Sequence, residues 1–69
     1  MPLLFADVGQ EVFVKKIGGT ANVKQHLNEI GFNVGSSVIV IQKVPTGLIV
    51  KVKDSRIAID KSMASKIMI

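Results

Sequence analysis

The segment Leu27-Asn28-Glu29-Ile30-Gly31-Phe32-Asn33-Val34-Gly35 constrains this chain more than any other stretch. Val23, Leu27 and Ile30 recur at spacings of four and three, which puts them on one face of a helix, and the pattern stops at Gly31. Glycine has no Cβ and takes positive φ at little cost, the conformation commonly needed by the residue just past a helix end. Phe32 then supplies the apolar residue that folds back onto the last turn. Gly35 marks a second turn, ahead of the strongly β-prone run Ser37-Val38-Ile39-Val40-Ile41-Gln42-Lys43-Val44. A helix that passes through a two-glycine joint into a strand is thus specified locally, and the remaining residues have to be arranged around it.

With 69 residues the chain holds one domain, spanning 1–69, near the lower size limit for independent folding. It contains no cysteine, so no disulfide can assist, and burial of aliphatic side chains has to offset chain entropy. The 48% hydrophobic content, mostly Val and Ile, answers that need. Apolar runs such as Val38-Ile39-Val40-Ile41 fall far short of the roughly 20 residues of a membrane-spanning helix, so no membrane insertion is expected. No basic residue precedes the apolar start Met1-Pro2-Leu3-Leu4-Phe5, and Asp7 interrupts it; the absence of a signal pattern and of cysteine points to the cytoplasm.

Around the joint the remaining segments read as strands. Glu11 to Ile17, bounded by Gly9 and Gly18-Gly19, is one strand, and Thr20 or Asn22 is available to cap the helix that follows. Ser37 to Val44 is apolar on both faces in its first half and should lie centrally. Pro45-Thr46-Gly47 signals a turn into Leu48 to Lys53, whose alternation sends Leu48, Val50 and Val52 to the core. A turn at Asp54-Ser55 leads to a third strand, Arg56 to Ile59, Asp60 caps a helical turn over Lys61 to Ser65, and Lys66 to Ile69 returns as the last strand beside the first. Five short strands, one helix between the first two and a helical turn before the last predict a small, highly curved β-barrel whose closure removes exposed edges.

The reactive inventory is sparse. One histidine, no cysteine and five dispersed acids cannot assemble a conventional iron or zinc site within one chain, so neither metal nor cofactor is expected. His26 sits at the margin of the helix's apolar stripe, and a weak homo-oligomer pairing two His26 side chains on an ion stays open. The serines fall in turns or at a helical start, with His26 the one available base, which argues against an enzyme. Gly18-Gly19-Thr20 is too short for a phosphate loop and lacks its GK[ST] ending. The net charge of +4 raises nucleic acid as a partner. Against it stand the absence of Trp and Tyr and the scatter of the lysines, while Phe13, between core-facing valines, should point outward, toward a partner.

These residues resemble the FeoA family, small cytosolic accessories of the bacterial ferrous iron transporter FeoB. The resemblance covers nearly the whole chain and rests on VKKI followed by GG, on VKQHLNEIGFNVGSSVIVI, on VPTGLIVKV, on RIAI and on MASKIMI. It implies an SH3-like β-barrel, shared with the carboxy-terminal domain of metal-dependent repressors of the DtxR type. It further implies a non-enzymatic interaction module that docks on the cytosolic part of FeoB. A repressor-type module that binds a peptide segment, or a nucleic-acid-binding barrel, are the alternatives. The short helix is what distinguishes this barrel from a plain one, so Lys24, Leu27 and Asn28 are the expected contacts, with His26 and Glu29 beside them. Gly31, Phe32, Gly35 and Gly47 are expected to hold the geometry.

Overall fold

The computed structural model describes residues 1–69. After a single 3-10 turn at Leu3–Phe5 come strands β1 (Glu11–Phe13) and β2 (Lys16–Ile17) and helix α1 (Ala21–Ile30). Strands β3 (Ser37–Val44), β4 (Gly47–Val52) and β5 (Ser55–Asp60), helix α2 (Lys61–Lys66) and strand β6 (Ile67–Met68) complete the chain. A four-stranded antiparallel sheet runs in the order β1-β3-β4-β5, and β2 pairs with β6 in a second, two-stranded sheet.

The barrel of the sequence analysis is present, with six strands in place of five. The stretch 11–17 is not one strand, because the chain turns from one sheet into the other at Val14 and Lys15. Val14 N–H donates to Ser36 O at 3.0 Å, on the β3 side, whereas Lys15 N–H donates to Met68 O at 2.7 Å, on the β6 side. Alternation of apolar residues reports which side faces the core, and it does not report a change of partner strand. Closure is also less complete than expected: β1 and β5 end the four-stranded sheet, so the outer edge of each has no strand partner. The first hairpin turn is one residue shorter than predicted, at Pro45-Thr46, and the second lies one residue earlier, at Lys53-Asp54, so Gly47 begins β4 and Ser55 begins β5.

One core of 14 side chains fills the interior, drawn from every layer: Leu3 and Ala6 below, Val38, Val40, Leu48, Val50 and Val52 from the central strands, and Leu27 and Phe32 from the helix and its exit. Leu48, Val50 and Val52 are buried, as their alternation requires. No polar side chain is buried. The chain ends are tied together: the Met1 ammonium donates to Ile69 O at 3.1 Å, and Ile69 N–H donates to Met1 O at 2.7 Å.

Candidate protein-interaction surface

Helix α1 begins where Thr20 Oγ1 accepts the Val23 N–H at 3.3 Å, which selects Thr20 over Asn22 as the cap. It ends at Gly31, whose φ of 124° lies where side-chain-bearing residues are strained. There Gly31 N–H bonds to Asn28 O and Leu27 O, both at 3.1 Å, and Phe32 N–H bonds to Leu27 O at 2.9 Å. The Gly31–Asn28 and Phe32–Leu27 bonds are the two crossed bonds of the Schellman ending, and they satisfy carbonyls that the helix would leave open. Phe32 and Leu27, the pair that this ending brings together, are both wholly buried. Gly35, at φ 90°, makes the second turn and donates its N–H to Val14 O at 2.7 Å, which ties the joint to the corner of the barrel.

The helix lies on the barrel by its Val23, Leu27 and Ile30 face and offers Lys24, His26, Asn28 and Glu29 to solvent. Leu27 corrects the expectation that made it a surface contact: it has no exposed area, because the face that carries it is the one that closes the core. Within the helix, Gln25 Nε2 donates to Glu29 Oε1 at 3.4 Å, a one-turn pairing that steadies the outer face. His26 stands exposed, and no three His, Cys, Asp or Glu side chains converge anywhere on the chain. The surface has no pocket for a small substrate, and no buried side-chain nitrogen or oxygen lacks a partner.

Two exposed apolar side chains belong to the segments that meet around the joint, where Phe13 pairs with Ser37 and Gly35 bonds to Val14. Phe13, at the end of β1, is 55% exposed, in agreement with its predicted outward direction, and Val34, in the turn between Phe32 and Gly35, is 70% exposed. Val34 was not among the residues expected at the surface. The signal was available, since an aliphatic residue between Asn33 and Gly35 sits in a turn where no strand or helix alternation can bury it. At Gly47 the backbone of β5 comes close: a Cβ there would meet Ile59 O and lie 2.8 Å from Asp60 Cα.

A family model for the FeoA domain matches residues 1–69, the whole of the chain. The chain belongs to the FeoA family. A protein of Methanocaldococcus jannaschii that carries the provisional name Fe(2+) transport protein A is 43% identical over 68 residues, 99% of this chain and 83% of the relative. Among solved structures, an iron uptake regulatory protein, FeoA, superimposes with a TM-score of 0.89 at 31% identity, covering 97% of this chain and 91% of that one. The FeoA of Stenotrophomonas maltophilia, solved with zinc and described as an SH3 domain protein, gives a TM-score of 0.84 at 28% identity, covering 99% and 87%. The FeoA chain described here thus has the SH3-like barrel that its sequence pattern implied. No helix in it is long and apolar enough to cross a membrane.

Proposed function

We propose that this FeoA chain is a non-enzymatic accessory of ferrous iron uptake that docks on the cytosolic part of FeoB through the outer face of α1 and the turn that leaves it. The observation that carries this reading is the family match over all 69 residues. A small barrel with a single exposed histidine, no converging ligand set and no pocket fits recognition far better than chemistry. Lys24, His26, Asn28 and Glu29 supply the polar part of the surface, and Val34 with Phe13 supply an apolar anchor of the kind that interfaces favour.

The test is capture of this chain by immobilised cytosolic domain of FeoB from the same organism. Lys24→Glu and Val34→Asp should each weaken capture while leaving the melting temperature within about 2 °C, since both residues are exposed. Capture unchanged by both variants would move the contact surface elsewhere, and a parent chain that is not captured at all would refute the docking.

A further inference from the structure

The open edge of β5 and the basic residues beside it have no role in the barrel. Lys61 N–H donates to Thr46 O at 3.1 Å, and in an antiparallel ladder the hydrogen-bonded residues alternate, so Leu48/Ile59, Val50/Ile57 and Val52/Ser55 are the bonded pairs of β4 and β5. The backbone N–H and C=O of Arg56 and Ala58 therefore face the other way, toward the side where the sheet ends. Neither residue makes a backbone bond outside that ladder, and no side chain bonds to either. Both residues are exposed.

Charge is arranged on the same edge against the interest of the fold. Lys51 and Arg56 sit directly opposite each other on the outer face, a like-charge pair that destabilises a ladder. The next residue on that face, Lys53, occupies the hairpin turn with φ 56°, a position that Gly, Asn or Asp would fill with less strain. No carboxylate offsets the three. Glu11 lies two strands away in the same cross-strand row and accepts from Ser37 Oγ at 2.7 Å, while Asp60 accepts the Met63 N–H at 2.7 Å. Asp54 stands alone in the turn. One row further along the outer face, Ile49 pairs with Ala58 and gives an apolar step beside the charged one.

We propose that the edge of β5 receives an extended acidic segment of a partner protein, which adds as a fifth strand to the β1-β3-β4-β5 sheet. Backbone bonds to Arg56 and Ala58 hold the segment. An acidic residue lies beside Arg56 and Lys51, and an apolar residue two positions along lies beside Ala58 and Ile49. A second copy of this chain is a poorer occupant, because β5 paired with itself in the register that sets Arg56 opposite Arg56 opposes like charges, whereas an acidic segment meets Arg56 and Lys51 with opposite charge. A nucleic acid strand is disfavoured as well, since Phe13, the aromatic residue on the sheet, belongs to β1 at its far side.

This inference rests on the reading of the chain as a protein-binding accessory, and two measurements separate them. The first titrates the full chain with a short capped peptide that has threonine at alternate positions and glutamate and valine between them. Amide hydrogen exchange should slow at Arg56 and Ala58 and stay unchanged on α1. Arg56→Glu should weaken the peptide by about tenfold or more. Ala58→Pro removes an N–H that β4 does not use, so the fold should persist and binding should vanish. If Ala58→Pro fails to fold, Ala58→Asp provides the same block through charge. The second measurement is capture by the FeoB cytosolic domain. Peptide that leaves Arg56 and Ala58 unprotected while capture persists overturns the strand addition alone; protection without capture sustains the edge site and refutes the docking on FeoB. Self-association through β5, or retention on anionic vesicles or single-stranded DNA that Arg56→Glu abolishes, in the absence of peptide protection, also overturns it.

Discussion

Replacing Gly47 by Ala adds one methyl group at the place where β4 and β5 approach most closely. The new Cβ would meet Ile59 O and lie 2.8 Å from Asp60 Cα and 2.9 Å from Ile59 C, and all three are backbone atoms that no rotamer change can withdraw. Relief requires β5 to move away, yet β5 is registered to β4 over six residue pairs and continues directly into α2. Overpacking of this kind costs about 1–3 kcal/mol, and a clash with backbone alone belongs at the upper end. At about 0.05–0.15 kcal/mol per residue the whole domain has roughly 3–10 kcal/mol of stability, so the loss is a large fraction of it. For a domain of this size about 3 kcal/mol corresponds to a fall in Tm of roughly 12–24 °C. Circular dichroism melts of the variant and of Gly18→Ala measure the effect. Gly18 has ordinary negative φ, and its added Cβ would meet Lys66 O at 3.5 Å, an unstrained contact. The control should melt unchanged or gain up to about 1 kcal/mol from reduced unfolded-state entropy. A Gly47→Ala protein that melts with its control would refute the argument from close approach.

Three further outcomes are expected. Gly31→Ala meets no atom closer than 3.7 Å, so its cost comes from φ 124° alone, about 1–3 kcal/mol by urea denaturation, and loss of the Schellman ending would show as reduced helical circular dichroism. Leu27→Ala removes a wholly buried side chain and should cost about 2–5 kcal/mol, an effect no surface contact would produce and one that equilibrium unfolding separates from the exposed Lys24. Lys53→Gly should raise Tm, because it relieves a left-handed lysine worth about 1 kcal/mol, and a lowered Tm would mean that the Lys53 stem, which lies near Gly31, contributes more packing than its backbone costs.

The parts of the fold that local chemistry dictates were legible in the sequence, and the parts set by distant pairing were not. Thr20, Gly31 and Phe32 carry their instructions within a few residues, so the helix and its exit could be read directly. The alternation of Leu48, Val50 and Val52 likewise specified the core face of β4. By contrast, the switch at Val14 and Lys15 depends on Ser36 on one side and Met68 on the other, and nothing within residues 11–17 encodes that exchange. The second hairpin turn slipped by one residue because Lys53 occupies a left-handed place that normally announces itself with glycine or asparagine. At the candidate surface, exposure of Lys24, Asn28 and Glu29 followed from helical geometry, whereas His26, at the margin of the apolar stripe, turned out exposed. The error over Leu27 came from asking one side chain to serve both the core and a partner, and the apolar end of Val34 was hidden because turns carry no periodicity.

The pairing of β2 with β6 sets an order on how the chain reaches its final form. Residues 16–17 find their ladder partners only in residues 67–68, and Pro2 bridges to Met68. The β3-β4-β5 meander can assemble from neighbours, but the barrel's lower seam has to wait until nearly the whole chain is available, which places its formation late and makes it the slow step. The last four residues are consequently no fraying tail. Trimming them would strand β2, expose Ile17 and leave a half-finished cylinder with a sticky rim.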